Sequence, residues 1–311
     1  MRISVEQASE QIKQGEVVAV PTETVYGLAA DCFNAHAVKK TFKIKGRPAD
    51  NPLIVHISEL NQLDTLAENI SDDAGTLIRN FWPGPLTLIF PKHHAVPDIV
   101  TGGLSTVAVR MPDHPLTLSL IRKTGPLTAP SANKSGRPSP TKAKHVEDEF
   151  KGTVPVLDGG DCSIGLESTV LDLTQKPYTI LRPGYVTPAA IEDLLNTDVL
   201  KLTGSKKKLM SSPGTRYTHY KPSASVIWFS PLNPPHDKDA YYITHSFEAR
   251  DGYTSFDYNA DFDMLARHLF DHFRTADHLN FQKIFIEKLP SDQNHPVIAP
   301  LKDRINRASN R

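Results

Sequence analysis

The sequence predicts a two-domain α/β protein, and three observations support this prediction. Over the first 200 residues, short apolar runs alternate with segments of helical period, which is the pattern of an α/β sheet protein. Residues 201–222 then carry six basic side chains and no acidic one, together with Gly, Ser and Pro. Strand and helix patterns resume beyond them in a chain of 311 residues, which is long enough for two domains. We therefore expect a large domain over 1–200, a basic linker over 201–222 and a small α/β domain over 223–311.

Cap residues and apolar runs place the elements of the large domain. Ser4 with Gln7 forms a capping box that begins the first helix, and Gly15 is placed to end it. Asn34 and Thr187 are predicted to cap two further helices. Helices are expected from Asn34 to about Lys43 and over 72–80, 114–123, 141–150 and 187–196, and strands over 16–20, 53–57, 86–90, 106–110, 154–157, 168–173 and 179–182.

The small domain shows fewer signals. Apolar runs predict strands over 225–229, 241–244 and 283–287, and a helical period predicts a helix over 261–274. The final segment, RINRASNR, is polar, and we expect it to be frayed.

Composition limits the class of partner. Lys+Arg and Asp+Glu each number 35, so no overall field favours nucleic acid, a membrane or an acidic partner, and any polyanion site must be local. Cys32 and Cys162 match neither a zinc pattern nor a disulfide framework, which fits a reducing compartment and predicts a cytoplasmic protein. The sequence shows no apolar run of membrane-spanning length, and its charged N-terminus does not have the pattern of a signal peptide.

Several nucleotide and catalytic signatures are missing. The chain has no GxxxxGK[ST], GxGxxG, GxSxG or HExxH motif, which argues against a P-loop, a Rossmann dinucleotide site, an α/β-hydrolase nucleophile and a zincin site. His268 and His272 have i, i+4 spacing but no specified third ligand, so a solvent or boundary position is favoured over metal binding. The pair His93 and His94 is a weaker metal candidate still.

The segment VPTETVYGLAADC, residues 20–32, leaves an apolar strand through polar side chains. Pro21 ends the strand, and Thr22 to Tyr26 come before the chain turns at Gly27. Taken alone, these residues either line a pocket or finish the strand in a hydrogen-bonded turn.

Two further segments are candidates for an anion site. Residues 42–52 place Lys43, Lys45 and Arg47 at a predicted helix end, where the cations either complement the helix dipole or bind phosphate oxygens. Residues 128–141 form a loop of small hydroxyl and amide side chains, the last of which is placed to begin a helix. This loop is either an ordinary Asx/Ser turn with a cap or an anion-binding turn.

Eight motifs then occur in one order and at characteristic separations: PTETVYGLAADC, KIKGRPADNPLIVHI, WPGPLTLIF, VAVRMPDHP, TAPSANKSGRPSPT, LESTVLDL, ILRPG and SPGTRYTHYKP. Through them the sequence resembles the YrdC-like threonylcarbamoyl-AMP synthases of the long, two-domain form, by motif over residues 5–222 and by position over 223–311. The resemblance implies a large, twisted, open α/β sheet with flanking helices around a positively lined cavity. It also implies a linker across the mouth of the cavity and a small C-terminal Rossmann-like domain.

The activity that the resemblance implies is synthesis of L-threonylcarbamoyladenylate and pyrophosphate from L-threonine, bicarbonate or CO2, and ATP. The product would pass to a separate transferase for N6-threonylcarbamoyladenosine modification of tRNA. Such chemistry needs a pocket for a small zwitterion, a cradle for a triphosphate and closure against water, but no covalent nucleophile. We therefore expect no catalytic residue in the strict sense, and we expect Mg2+ to be held by the ATP phosphates.

The same resemblance assigns roles to individual residues. The L-threonine contacts would be Thr24, His56, Arg110, Ser131 and Ser168. The ATP contacts would be Arg47, Asn51, Thr106, Asn133, Thr141, Arg182 and Tyr220. Lys43 and Lys45 would add charge, and Arg216, His219 and Tyr220 of the linker would close over the nucleotide.

Two other classes of function compete with this interpretation. The basic cavity implied by the fold and the run Lys206–Lys208 suit a double-stranded RNA or tRNA-binding module, although aromatic interleaving of a recognised kind is missing. The alternative is a different carbamoyl transfer, since related domains occur in hydrogenase-maturation carbamoyltransferases. Those proteins carry additional zinc-finger and acylphosphatase-like segments, which this sequence does not show.

Overall fold

The structure is a computed structural model that describes residues 1–201, 219–247, 252–291 and 295–309. These residues form two sheets with helices packed against them. Lys201 ends the large sheet and Ser225 begins the small one.

The large sheet is mixed and open, with eleven strands in the order β1-β8-β2-β3-β7-β4-β6-β5-β9-β10-β11. The strands are β1 (Arg2–Ile3), β2 (Val18–Val20), β3 (Gly27–Asp31), β4 (Ile54–His56), β5 (Leu86–Pro91), β6 (Thr106–Arg110), β7 (Leu127–Thr128), β8 (Val156–Leu157), β9 (Thr169–Asp172), β10 (Thr179–Arg182) and β11 (Leu200–Lys201). Every strand predicted in this domain is present within about three residues.

Seven α-helices and one 3-10 turn (Leu60–Thr65) cover the large sheet. The helices are α1 (Val5–Lys13), α2 (Ala35–Lys45), α3 (Asp72–Phe81), α4 (Asp98–Thr101), α5 (Pro115–Thr124), α6 (Ala143–Phe150) and α7 (Pro188–Leu195). The predicted caps are confirmed for three helices: Ser4 and Gln7 form a full capping box, Asn34 accepts two backbone N–H bonds, and Thr187 caps α7 ahead of Pro188. Gly46 ends α2 in the left-handed conformation, at φ +59°.

One predicted cap is wrong. Thr141 does not begin α6, because Lys142 occupies the N-cap position and makes no side-chain cap bond. The backbone N–H of Thr141 instead donates to Nδ1 of His145, at 3.2 Å. A ring nitrogen from the first turn of the helix therefore accepts the N–H of the residue that precedes the N-cap.

The centre of the large sheet fixes which side chains share an edge. β4 and β6 pair in parallel, with His56 opposite Arg110. β7 lies antiparallel to both β3 and β4, and Val55 is opposite Thr128. Because parallel and central strands are covered on both faces, their middle residues are apolar and buried, while polar residues gather where the strands end.

The described residues of the small domain form a four-stranded parallel sheet in the order β12-β15-β13-β14, with two helices. Its elements are β12 (Ser225–Phe229), β13 (Tyr241–Thr244), β14 (Thr254–Asp257), β15 (Lys283–Glu287), α8 (Phe262–His278) and α9 (Ile298–Ser309). The three predicted strands are confirmed, and α8 continues one turn beyond the predicted end at 274. Strand β14 was not predicted because its sequence, TSFD, has no apolar run. The strand is half-exposed, so it does not need one.

The prediction of a frayed C-terminal segment is wrong for its described residues, 304–309. Residues up to Ser309 form α9, and its buried face carries Leu301, Ile305 and Ala308 at helical spacing. Arg304 on the same face is fully buried. The polar residues of 304–309 therefore belong to an amphipathic helix on which Arg304 points inward.

Most of the predicted linker, including Arg216 and Lys206–Lys208, lies outside the described residues. In the part of the chain that the structure describes, no helix has the length and apolar character needed to cross a bilayer.

Candidate active site

The segment that follows β2 divides into a part that supports the turn and a part that lines a cleft. Thr22 is buried, and its hydroxyl accepts the N–H groups of Thr24 and Val25 and donates to the carbonyl of Val25 at 2.6 Å. Tyr26 points into the core, where its hydroxyl donates to the carbonyl of Gly160. Thr24 and Val25 alone of this run line a cleft beside the large sheet. The pocket interpretation therefore holds for Thr24, and the turn interpretation holds for Thr22.

Gly27 lets this segment approach the loop that carries Ser131. Gly27 and Ser131 form an antiparallel bridge. A Cβ added to Gly27 would lie 3.0 Å from the Cβ of Ala129 and 3.1 Å from its carbonyl oxygen, so a side chain there would push the two segments apart. The approach brings Thr24 and Ser131 into the same cleft wall.

Arg110 lies at the end of β6, and three of its donors are fixed by the protein. Nε donates to the carbonyl of Gly84 at 3.1 Å, Nη1 to the hydroxyl of Thr24 at 2.9 Å, and Nη2 forms an ion pair with Glu23. The second carboxylate oxygen of Glu23 accepts the N–H of Asp113. A guanidinium has five N–H donors, so two remain to bind an anion in the cleft from a fixed position.

His56 stands beside Arg110 because β4 and β6 pair in parallel register. Burial, followed by the Arg110 charge, lowers the pKa of His56 to about 3, so the ring is neutral near neutral pH. Its Nδ1 is buried and has no hydrogen-bond partner among the described residues. A neutral ring with an open nitrogen suits a polar group of a bound ligand.

The loop after β7 is held by a buried lysine. The Nζ of Lys45 donates to the carbonyls of Ser131 and Asn133, the latter at 2.6 Å. Burial and the neighbouring Arg47 charge place the pKa of Lys45 well below its ordinary value. Lys45 therefore fixes the loop, contrary to its expected role as a phosphate cation. Lys43 is exposed on another face of α2 and does not line the cleft.

Ser168 and Arg182 form a second fixed pair. Arg182, at the end of β10, donates from Nε to the carbonyl of Ser168 and from Nη2 to its hydroxyl, both at 3.0 Å. The same hydroxyl lies 2.8 Å from that of Thr87. Both residues line the cleft, so a residue expected to bind threonine contacts one expected to bind ATP.

The remaining wall is formed by Arg47 and by two residues near the end of the linker, His219 and Tyr220. Arg47 donates to the carbonyl of Pro52 at 2.9 Å. Tyr220 is buried, stacks on Phe270 of α8 with ring centres 5.3 Å apart, and has φ +66°, a region that bulky residues seldom adopt. His219 lines the cleft beside it. A small-domain helix thus holds one wall of the cleft.

The cleft contains nine of the twelve residues assigned to substrates: Thr24, Arg47, His56, Arg110, Ser131, Asn133, Ser168, Arg182 and Tyr220. Asn51, Thr106 and Thr141 do not line it, and their assignment stays a prediction. The side chain of Asn51 is fully buried, and neither its oxygen nor its nitrogen has a partner among the described residues.

Sequence reasoning missed several residues in or behind the cleft wall. Glu23 holds Arg110, Glu167 accepts from Ser139 at 2.5 Å, and Arg137 reaches from the cleft to Asp277 of the small domain at 3.1 Å. Each of the missed residues lies inside a motif, but the motif gives no sign of which neighbour it contacts. Among the described residues lining the cleft, four are arginines and one, Glu167, is acidic.

The metal candidates lie elsewhere. His268 and His272 do not share a ligand set, because His272 contacts the hydroxyls of Tyr241 and Tyr258. Within the described ranges, one group could hold an ion: Glu68, His93 and His94, whose ligand atoms lie within 4.8 Å of one another at the surface.

Fold and site together define an α/β protein with an arginine-rich cleft beside its large sheet. Two family models cover the chain: residues 10–184 match Sua5/YciO/YrdC, described as "Telomere recombination", and 186–310 match "Threonylcarbamoyl-AMP synthase, C-terminal domain". The chain therefore belongs to the Sua5/YciO/YrdC family, in its two-domain form.

Relatives agree with this membership. The threonylcarbamoyl-AMP synthases of Pyrococcus abyssi and Bacillus subtilis are each 50% identical to this chain, over 220 and 224 residues, or 70% and 71% of its length. The chain spans 65% of the length of both. A crystal structure of P. abyssi Sua5 complexed with L-threonine has a TM-score of 0.86 and 37% identity, covering 99% of this chain and 96% of that one.

Proposed function

We propose that this protein is a threonylcarbamoyl-AMP synthase that makes L-threonylcarbamoyladenylate and pyrophosphate from L-threonine, bicarbonate or CO2, and ATP. The amine of threonine adds to the carbon of CO2 and loses a proton, which gives a carbamate. A carbamate oxygen then attacks the α-phosphorus, the bond from that phosphorus to the bridging β-oxygen breaks, and pyrophosphate leaves with the electron pair.

The observation that carries the proposal is the meeting of nine assigned residues from separate motifs in one cleft. Arg110 has donors left for the carboxylate of an amino acid, and Thr24 and neutral His56 lie beside it. Arg47 and Arg182 supply fixed positive charge for phosphate oxygens. No nucleophilic side chain is required, because positioning and charge stabilisation lower the barrier.

Mg2+ would be held by the ATP phosphates. Mg2+ sites in nucleotide enzymes usually combine one or two carboxylates with substrate phosphates. Here the cleft carboxylate, Glu167, is already bonded to Ser139 and Arg304. The described cleft residues therefore offer cations rather than free carboxylates, and the metal's contribution would be to neutralise phosphate charge.

The product is a mixed anhydride that water hydrolyses, so it suits prompt transfer to a separate tRNA threonylcarbamoyl transferase. The cytoplasmic location expected from the sequence stays a prediction. Cys32 and Cys162 are both buried as free thiols, which suits a reducing compartment.

The test is pyrophosphate release from ATP with Mg2+, with product mass measured in parallel. We expect release that needs both L-threonine and bicarbonate, is weak with serine, and yields a product of the mass of threonylcarbamoyl-AMP. A folded protein that releases no threonine-dependent pyrophosphate, yet binds RNA with strong salt dependence, would overturn the proposal in favour of the RNA-binding alternative.

A further inference from the structure

Arg304 of α9 reaches from the small domain into the wall of the cleft. Its Nε donates to a carboxylate oxygen of Glu167 at 2.9 Å, its Nη1 to the carbonyl of Pro183 at 2.9 Å, and its Nη2 to the carbonyl of Glu167 at 3.3 Å. Its guanidinium also lies 5.5 Å from the centre of the Tyr220 ring. Arg304 is fully buried, so these contacts are shielded from bulk solvent.

The two residues that accept these hydrogen bonds from Arg304 are sequence neighbours of Ser168 and Arg182, the fixed pair in the cleft. Glu167 precedes Ser168, and Pro183 follows Arg182. The strands that carry them are close: a Cβ added to Gly184 would lie 2.2 Å from the backbone nitrogen of the residue after Ser168. Arg304 therefore clamps both sides of the contact between Ser168 and Arg182.

Arg304 affects the cleft through its positive charge as well as through its hydrogen bonds. Glu167 is the acidic residue of a cleft that otherwise presents arginines. Burial raises the pKa of Glu167, but Arg304, then Arg182 and the bond from Ser139, outweigh burial and lower it, so the carboxylate is ionised. Arg304 neutralises a negative charge that would otherwise repel the phosphates of a nucleotide.

We propose that Arg304 is a positioning residue of the active site, through which the small domain sets the geometry of Ser168 and Arg182 and cancels the charge of Glu167. This inference rests on the proposed function for its ligand, ATP, but its first readout is binding and does not need turnover. The inference predicts that the loss of Arg304 weakens the binding of ATP more than the binding of threonine.

A second buried pair between the domains provides a matched control. Arg274 of α8 contacts Glu149 at 2.9 Å and also donates to the carbonyl of Pro138. Neither Arg274 nor Glu149 lines the cleft. Arg274→Met therefore removes an interdomain arginine, whose side chain is 13% exposed, without exposing a carboxylate to the nucleotide.

The experiment measures ATP binding by calorimetry and the KM values for ATP and threonine in the full chain, together with thermal unfolding. We expect Arg304→Met to weaken ATP binding by about 30-fold or more, because one partner of a buried charge pair has been removed. The double variant Glu167→Gln/Arg304→Met should recover most of this loss. Arg274→Met should leave ATP binding within about twofold of the parent, even where its unfolding temperature falls as far.

The pH dependence separates this role from a structural one. In Arg304→Met, Glu167 loses its main counter-charge, its pKa rises, and protonation removes the repulsion. The deficit in ATP affinity relative to the parent should therefore shrink from about pH 8 to about pH 6, and the double variant should show no such trend. Among the described residues, the other charged or titratable groups that interact with Glu167 are Lys45, Arg182, His219 and Tyr220, and Asp303 interacts with Arg304.

Two results would overturn the inference: ATP affinity of Arg304→Met equal to that of Arg274→Met, or no recovery in the double variant. If Arg304→Met does not fold, Arg304→Lys tests the inference instead. This variant keeps the positive charge and loses the guanidinium hydrogen bonds to Pro183 and Glu167. We expect it to weaken ATP binding about fivefold, and parent-like affinity in folded Arg304→Lys would exclude the clamp. A parent protein that binds ATP but releases no threonine-dependent pyrophosphate would overturn the proposed function and leave this inference standing.

Discussion

Two buried pairs of arginine and glutamate hold the cleft, and they come from different parts of the molecule. Arg110 with Glu23 joins two motifs of the large domain, and both residues are at least 93% buried. Arg304 with Glu167 joins the last helix of the small domain to the motif that carries Ser168. In each pair a carboxylate fixes a guanidinium beside the place where an anionic substrate would bind.

The difference lies in what each arginine offers to the ligand. Arg110 keeps two donors for the ligand and is a direct binding residue in the proposed mechanism. Arg304 donates its hydrogen bonds to Glu167, Asp303 and Pro183. It therefore acts on the ligand through these contacts rather than directly. The large domain thus supplies the contacts to the ligand, while the small domain balances the charge beside those contacts.

The largest effect is expected for Arg110→Met, which breaks the first pair. The change removes the carboxylate anchor and leaves Glu23 buried without its counter-charge. We expect kcat/KM for threonine to fall by about 100-fold or more, and the free energy of unfolding to fall by about 3 kcal/mol. Pyrophosphate release and urea unfolding measure the two effects. A variant that keeps parent-like threonine kinetics would show that Arg110 is only structural.

Much of the large domain could be predicted from the sequence because its signals are local. The caps at Ser4, Asn34 and Thr187 act within three residues, and the strands are bounded by polar residues and prolines. The site residues came from motif resemblance, and nine of them meet in the cleft.

Arg304 could not be assigned in this way. Its partner Glu167 is 137 positions away, and no local pattern connects a polar C-terminal segment with a carboxylate in the cleft. The helix itself left a signal, since Leu301, Ile305 and Ala308 have helical spacing. Lys45 shows the same limit: the sequence gives its charge, but only the fold shows that the charge is buried under two carbonyls.

Lys45 and Lys43 provide the next test, because they are two residues apart on one helix and differ in burial. Lys45→Met removes the donor that holds the carbonyls of Ser131 and Asn133, so we expect a loss of about 2 kcal/mol in stability and about 10-fold in kcat/KM. Lys43→Met, on the exposed face, should leave both within error. Equal effects of the two changes on ATP kinetics would restore the view that both lysines act as surface charge for phosphate.

His56 provides a pH test of the wall next to Arg110. Its folded pKa of about 3 lies below the ordinary 6.5, so the unfolded chain binds the proton more readily between these values. The contribution of neutral His56 to the free energy of unfolding is fully present above pH 6.5. It is lost as the pH falls towards the folded pKa, by about 1.4 kcal/mol per pH unit. His56→Gln should therefore show a shallower loss of stability than the parent between about pH 6.5 and about pH 5.

The control for this slope is His236→Gln, which removes an exposed ring of the small domain. Urea unfolding at several pH values gives the slope of the free energy of unfolding against pH. A loss of stability in His56→Gln that is equal at every pH leaves this slope unchanged. Parallel curves for the parent and His56→Gln would mean that His56 is not a buried neutral ring.

The smallest effect is expected where the two regions touch through aromatic rings. Phe270 of α8 is fully buried and stacks on Tyr220, which lines the cleft. Phe270→Leu keeps an apolar side chain but removes the stack, so we expect a loss of about 1 kcal/mol in stability and about a threefold rise in KM for ATP. The control change is Phe256→Leu, since Phe256 stacks on Tyr241 with similar geometry but is 43% exposed and does not line the cleft. If both changes raise the KM for ATP equally, the small domain affects the cleft only through overall stability; if Phe270→Leu alone does so, the small domain acts on it through Tyr220 as well as through Arg304.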